Sequence, residues 1–113
     1  MPTTIEELVG QAKAAITEIS VADAQKLDTE KTVFVDVREP AEWQAGTINS
    51  ALCIPRGVLE WKCSDETRLA DKSVPVVVYC KSGGRSALAA QTLQQLGFSD
   101  VKSLAGGYQA WSE

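Results

Sequence analysis

The sequence has 113 residues, 44% of them hydrophobic, and a formal net charge of −4 at pH 7, which suits one domain with a buried core and leaves too little chain for a second. The acidic balance argues against a protein that tracks nucleic-acid phosphates. Histidine is absent, which excludes Ser-His-Asp and Cys-His catalysis and sites where histidine ligates zinc or haem.

The N-terminal region carries a helical pattern. Residues 3–16 place apolar side chains at helical spacing, and Thr4 and Glu7 have the spacing of a capping box. A short extended piece is predicted at 18–20 and a brief helix at about 20–27. The N-terminal helix is expected to pack on the outside of the fold.

The first buried strand is predicted at residues 32–37, which are β-branched and almost entirely apolar. Pro40 can begin a short helix over 41–45, which Gly46 would end. A second short strand is predicted at 51–54.

The stretch 56–73 is polar and gives no clear secondary structure. Val58, Leu59 and Trp61 are expected to be anchored against the fold, and 63–66 is expected to be a surface loop.

The strongest strand signal, at residues 74–79, leads directly into Cys80. A helix is predicted at 86–96 with Gly97 as its stop, and a last strand at 101–104 precedes a terminal turn. Strands that alternate with helices predict an α/β fold with a parallel sheet.

The three cysteines, Cys53, Cys63 and Cys80, lie far apart and form no CxxC pair, so they predict neither a zinc site nor a disulfide framework. Cys53 lies in an apolar strand and is predicted to be a core residue, whereas Cys63 lies in a polar stretch and is predicted to be at the surface. No apolar run approaches the roughly 20 residues that span a membrane, and acidic and basic residues interrupt any N-terminal signal segment. We expect a cytoplasmic protein with no metal, cofactor, membrane or nucleic-acid partner.

The residues that follow the strongest strand have the features of an anion site. This Cys80 loop, residues 80–85, lies between a buried strand and a helix, where ligands bind in parallel sheets. Its sequence is Cys80-Lys81-Ser82-Gly83-Gly84-Arg85, and Ser86 follows at the start of the helix. Two consecutive glycines allow backbone N–H groups to face inward, and the helix N-terminus adds partial positive charge.

This setting favours the thiolate form of Cys80. Lys81 and Arg85, the only charged side chains of residues 73–99, add to the effect of the amides and the helix. Such surroundings lower a cysteine pKa, so Cys80 is predicted to be a nucleophile that needs no histidine. The alternative is a buried structural cysteine with surface cations nearby.

Four segments of the chain carry a family resemblance. They are VFVDVREPAEW at 33–43, GTI at 46–48 with ALCIP at 51–55, VVVYCKSGGRS at 76–86, and LAGGYQAW at 104–111. Together they resemble the single-domain rhodaneses, which are thiosulfate sulfurtransferase-like proteins. The resemblance implies a rhodanese-like three-layer α/β fold with a mostly parallel five-stranded sheet flanked by helices. We expect one such domain over residues 1–113, with the helix in 1–16 outside the matching segments.

The spacing within the loop separates sulfur from phosphate chemistry. Cys80 and Arg85 form a Cys-x4-Arg pattern, whereas the related phosphatases and arsenate reductases use Cys-x5-Arg, whose wider loop holds a tetrahedral oxyanion. The shorter loop suits a single sulfur atom and disfavours a phosphatase or an arsenate reductase.

The resemblance implies a two-step sulfur transfer. Cys80 would take the sulfane sulfur of thiosulfate, a persulfide or a polysulfide, and an acceptor thiol or cyanide would remove it. The substrate-binding residues would be Lys81, Ser82, Gly83, Gly84, Arg85 and Ser86. A persulfide carrier that exchanges sulfur with protein partners stays open as an alternative, because it needs the same loop. Cys63, if exposed, could resolve the persulfide as a disulfide, although an incidental surface thiol is the favoured interpretation.

Asp36 and Arg38 are predicted to brace the loop, although a purely structural salt bridge is at least as consistent with their positions. Asp36 is expected to orient a loop cation, and Arg38 to pair with a carboxylate such as Glu42. A carboxylate at position 42 would repel thiosulfate, which favours a persulfide or polysulfide donor. Gly106 and Gly107 are predicted to form a tight turn.

Overall fold

The computed structural model describes residues 2–113, in which helices and strands alternate along the chain. In chain order the elements are α1 (Ile5–Ala15), β1 (Thr17–Ile19), α2 (Val21–Ala24), β2 (Val33–Asp36), α3 (Pro40–Trp43), β3 (Leu52–Cys53), α4 (Leu59–Lys62), β4 (Val76–Tyr79), α5 (Gly84–Gln95), β5 (Val101–Leu104) and α6 (Gly107–Trp111). Short 3-10 turns occupy Arg56–Val58, Cys63–Asp65 and Thr67–Leu69.

The five strands form one parallel sheet in the order β1-β5-β4-β2-β3. The central strands β2 and β4 are buried at every position, as their nearly continuous apolar sequences require. Because all the strands run the same way, their carboxyl ends meet at one edge of the sheet. The predicted five-stranded parallel α/β fold is confirmed.

Helices cover both faces of the sheet. On one face, α5 contributes Ala89 and Leu93 to a core that also contains Val35 and Val78 of the sheet. On the other face, α6 packs Trp111 edge-on against Phe34, with 6.0 Å between ring centroids. The helix α1 lies outside α5, as predicted, and begins with the predicted capping box at Thr4.

The stretch 56–73 differs from its prediction. It contains α4 and three helical turns, because one apolar side in an otherwise polar sequence is enough to hold short helices on the core. Leu59 is fully buried as expected, but Val58 is 39% and Trp61 70% exposed, so the prediction that they are anchored is wrong. The C-terminal turn is also a helix, α6.

None of the helices within residues 2–113 has the length and apolar character needed to cross a membrane.

Candidate active site

Cys80 lies at the carboxyl end of β4, directly after Tyr79, and is 1% exposed. The chain then turns into α5, which begins at Gly84, two residues earlier than predicted. Gly83 precedes the helix with a φ of 111°, a left-handed conformation that side chains other than glycine rarely adopt. This turn directs the first amides of the helix back towards the cysteine.

Groups of the Cys80 loop and of the first turn of α5 lie within hydrogen-bond distance of the Cys80 sulfur. The Gly83 N–H donates to Sγ at 3.1 Å, and the Ser86 hydroxyl lies 3.5 Å from Sγ. Burial alone raises the pKa of the Cys80 thiol, but the Ser86 hydroxyl and the amides of Ser86, Gly83 and Ser82 outweigh it, so the pKa lies below its ordinary value. Hydrogen bonds therefore stabilise the thiolate more than Lys81 and Arg85 do, although the sequence emphasised these two cations.

A second hydroxyl supports Ser86 from behind. Ser103 of β5 lies 2.8 Å from Ser86, oxygen to oxygen, and both residues are fully buried. A serine hydroxyl has one proton to donate, so when Ser86 donates to the Cys80 thiolate it accepts from Ser103. Ser103 is not among the site residues predicted from the sequence, where its one signal is a small polar residue in a strand that is otherwise mainly buried.

The C-terminal helix α6 holds the loop by its backbone. The amides of Tyr108 and Gln109 donate to the carbonyls of Cys80 and Lys81 at 2.8 and 3.0 Å. Gly107 allows this approach, because a Cβ at that position would lie 2.5 Å from the Cys80 carbonyl oxygen. Gly106 and Gly107 are therefore more than the predicted tight turn, since they seat α6 on the loop.

Asp36 and Arg38 form a buried ion pair with each other. The Arg38 Nη2 atom lies 2.8 Å from Asp36 Oδ2 and donates to the Gly46 carbonyl at 2.7 Å. The guanidinium also stacks on the Tyr108 ring, 4.2 Å from its centroid. The expected partners were therefore wrong: Asp36 orients no loop cation, and Arg38 does not pair with the Glu42 carboxylate, although it donates to the Glu42 backbone carbonyl at 3.3 Å.

The Glu42 carboxylate instead binds Arg85 of the loop. Two hydrogen bonds of 2.8 and 3.1 Å join the two Nη atoms of the guanidinium to the two carboxylate oxygens. Hydrogen bonds from Arg85 and from the Glu39 amide lower the pKa of Glu42 to about 2, and the Glu42 partner raises the pKa of Arg85. Lys81 and Ser82 of the same loop are exposed.

The other two cysteines exchange their predicted environments. Cys53 is exposed at the end of the edge strand β3, and Cys63 is 2% exposed within the core. Burial raises the pKa of both thiols, so neither shares the setting of Cys80. The burial of Cys63 also removes the basis for a resolving role. Within residues 2–113, no group of three thiol, carboxylate or imidazole side chains is arranged to hold a metal ion.

The chain is similar to proteins of a known family. The model of the rhodanese-like domain family matches residues 20–113. The thiosulfate sulfurtransferase of Pseudomonas fluorescens is 40% identical over 88 residues, covering 78% of this chain and 77% of the relative. A sulfurtransferase of Allochromatium vinosum is 40% identical over 85 residues, which span 75% of this chain and 76% of that protein.

Solved structures agree with the fold. A protein of unknown function from Rhodopseudomonas palustris, described as a possible tyrosine phosphatase, matches with a TM-score of 0.82 and 33% identity over 99% of this chain and 94% of its own. A human single-domain sulfurtransferase matches with a TM-score of 0.73 and 27% identity over 84% of this chain and 94% of its own.

Proposed function

Since this chain belongs to the rhodanese-like domain family, whose members named above include sulfurtransferases, we propose that it transfers sulfur through a persulfide on Cys80. The observation that carries the proposal is the sulfur of Cys80 at the end of β4, within hydrogen-bond distance of the Gly83 amide and the Ser86 hydroxyl. These groups stabilise an anionic sulfur without any histidine.

In the first step, the Cys80 thiolate attacks the outer sulfur of the donor. With thiosulfate, the new S–S bond forms as the bond between the two donor sulfurs breaks, and sulfite leaves with the bonding electron pair. The enzyme keeps a persulfide, Cys80–S–S⁻. In the second step, cyanide or a thiolate attacks the outer sulfur and Cys80 leaves as a thiolate, so the two half-reactions give ping-pong kinetics.

The loop would serve both steps. Its amides and the Ser86 hydroxyl would hold the negative charge that moves from Sγ to the outer persulfide sulfur, as preorganised donors do in anion-stabilising sites. The exposed Lys81 would attract the donor's anionic end. Ser82, Gly83 and Gly84 supply backbone rather than side-chain chemistry.

Asp36 and Arg38 would act at a distance as positioning residues. Arg38 stacks on Tyr108, and the Tyr108 amide holds the Cys80 carbonyl. Through α6, the buried pair therefore supports the geometry of the loop, and neither side chain needs to touch the substrate.

Intact-mass spectrometry tests the proposal. The protein is incubated separately with thiosulfate, polysulfide and cysteine persulfide, freed of small molecules and weighed. We expect an adduct of one sulfur atom that cyanide removes, that is absent from Cys80→Ser and that is retained in Cys53→Ser, the matched change at an exposed thiol. A lack of adduct with every donor, or Cys80-dependent hydrolysis of p-nitrophenyl phosphate without an adduct, would overturn the proposal.

A turnover assay with donor and acceptor both present separates an enzyme from a carrier. A catalyst turns over many times when donor and acceptor are both present. A carrier forms the adduct but releases the sulfur rapidly only to a protein partner, so slow turnover with cyanide and with thiols would favour the carrier.

A further inference from the structure

The arginine of the Cys80 loop is already neutralised. Both Arg85 Nη atoms contact the Glu42 carboxylate, at 2.8 and 3.1 Å. Glu42 lies on α3, 43 positions away in the chain, and its Oε1 also accepts from the Glu39 amide at 2.9 Å. The carboxylate is thus held by two elements, and the loop arginine contributes little net positive charge to an incoming anion.

The remaining charges near the loop reinforce this point. The Asp36–Arg38 pair cancels in the same way, with side-chain exposures of 0% and 4%. Among residues 2–113, no carboxylate lies within salt-bridge distance of Lys81. The exposed Lys81 is therefore the loop cation available to a donor, and Cys80 offsets its charge when it reacts as a thiolate.

This charge balance suits some sulfur donors better than others. Thiosulfate brings two negative charges to the thiolate, and sulfite leaves with two. A persulfide, R–S–SH, reacts differently: the Cys80 thiolate attacks its outer sulfur, the S–S bond breaks, and R–S⁻ leaves with the electron pair and one charge. The proton stays on the outer sulfur, which gives Cys80–S–SH.

Resting on the function proposed above, we infer that Glu42 is a specificity-determining residue that cancels Arg85 and directs the site towards persulfide donors over thiosulfate. The pair is partly open to solvent, with side-chain exposures of 30% and 36%, so it lies where an arriving donor would meet it. When the carboxylate charge is removed, the positive charge of Arg85 becomes available to attract an anionic donor.

Glu42→Gln tests this inference. Glutamine keeps an oxygen that can accept from the Glu39 amide and from one Arg85 N–H group, but it removes the charge. We expect kcat/KM for thiosulfate to rise roughly five- to tenfold at low salt, as for a charge contact at a partly exposed site that meets a divalent anion. The gain should shrink as ionic strength increases, whereas kcat/KM for cysteine persulfide should change by less than about twofold.

Glu60→Gln is the matched control. It removes the carboxylate of another arginine pair, in which Arg56 Nη1 lies 3.1 Å from Glu60 Oε2. Arg56 also donates to the Thr92 hydroxyl of α5, and within residues 2–113 no side-chain hydrogen bond joins this pair to α3 or to the Cys80 loop. The kcat/KM values for thiosulfate and for cysteine persulfide should both stay unchanged in this variant. Cysteine persulfide and a persulfide carried on serum albumin represent small and protein-borne donors, and the larger kcat/KM of the two identifies the source within the persulfide class.

The results of these assays distinguish a failure of the role of Glu42 from a failure of the proposed sulfur transfer. If no donor places sulfur on Cys80, the proposed function fails. If the wild-type protein forms the persulfide but Glu42→Gln leaves the ratio of the two kcat/KM values unchanged, or if its gain with thiosulfate does not depend on salt, sulfur transfer stands and the role of Glu42 is refuted.

Discussion

Gly107→Ala tests whether α6 positions the reactive loop. Gly107 has a φ of 60°, and a Cβ there would lie 2.5 Å from the Cys80 carbonyl oxygen and 2.6 Å from that of Lys81. Because ordinary contact begins at 3.4 Å, helix and loop must separate by about 0.9 Å. The hydrogen bond from the Tyr108 amide, now 2.8 Å, would then exceed the usual limit of about 3.2 Å.

The loss in the free energy of unfolding that we expect from Gly107→Ala has two parts. A left-handed backbone costs a residue other than glycine about 1–3 kcal/mol. The loss of the two hydrogen bonds from α6 to the loop costs about 0.5–1.5 kcal/mol each. Gly107→Ala should therefore lower the free energy of unfolding by roughly 2–6 kcal/mol. Gly97→Ala is the matched control, because Gly97 has a φ of 99° but a Cβ there meets nothing within 4 Å, so only the backbone cost applies.

Urea unfolding of both variants measures this difference, and iodoacetamide alkylation of Cys80 at pH 6 measures its functional consequence. A displacement of the Cys80 and Lys81 carbonyls also moves the loop amides away from the sulfur. Cys80 should therefore be alkylated several-fold more slowly in Gly107→Ala than in the wild type, whereas Gly97→Ala should keep the wild-type rate. Equal unfolding free energies for the two variants, together with a wild-type alkylation rate in Gly107→Ala, would refute the role assigned to α6.

Three further predictions concern the surroundings of the loop. Ser103→Ala removes the hydroxyl behind Ser86, which should raise the pKa of Cys80 and slow its alkylation at acid pH roughly two- to tenfold. Asp36→Asn leaves Arg38 buried without its counter-charge and should lower the free energy of unfolding in urea by about 3–5 kcal/mol. Because the folded protein holds the pKa of the neighbouring Glu42 at about 2, that carboxylate stabilises the fold above its unfolded pKa of about 4.3 and loses this effect as pH falls towards 2; thermal unfolding of Glu42→Gln should therefore vary less with pH across this interval.

Ser99→Ala, at an exposed serine, should leave alkylation unchanged, and an equal effect of Ser99→Ala and Ser103→Ala would contradict the support that Ser103 gives to Ser86. Glu18→Gln disturbs an exposed pair with 3.9 Å between its charged atoms. If it lowered the free energy of unfolding as much as Asp36→Asn does, burial of the Asp36–Arg38 pair would be unimportant. An acid transition of Glu42→Gln identical to the wild type would mean that this carboxylate is not held ionised.

The sheet could be predicted from the sequence because its strands are chemically distinct. Runs such as 76–79 are wholly apolar, and strands buried on both faces need such runs. The stretch 56–73 carries a weaker signal, since Leu59, Cys63 and Leu69 are spread through polar sequence and each anchors a separate short turn. Its helices depend on tertiary packing, which local sequence does not report.

The ion pairs of the site show where sequence reasoning stops. Asp36, Arg38, Glu42 and Arg85 were all placed near the loop, but two carboxylates and two guanidinium groups can pair in two ways. How deeply each residue is buried decides which carboxylate pairs with which arginine. Asp36 is fully buried at the end of β2, and Arg38 beside it reaches the Gly46 carbonyl and the Tyr108 ring. Glu42, on the more exposed α3, is left for Arg85.

The cysteines illustrate the same limit in burial. Cys53 has apolar neighbours in sequence, but β3 is an edge strand of two residues, so one side of it faces solvent. Cys63 has polar neighbours, but the turn that carries it follows α4 and directs its side chain into the core. Strand order and helix orientation decide both cases, and neither can be read from composition along the chain.

The absence of histidine explains why so much of the fold converges on one loop. A thiol next to an imidazole is activated by one side chain, whereas here the thiolate depends on amides that must all face Sγ together. Amides can be aimed only by holding their backbone, and α6 does so by binding the carbonyls of Cys80 and Lys81. The buried Arg38 then holds α6 through Tyr108. In such a site the supporting residues outnumber the reacting one, so changes at Ser103 and Gly107 should lower the reactivity of the sulfur.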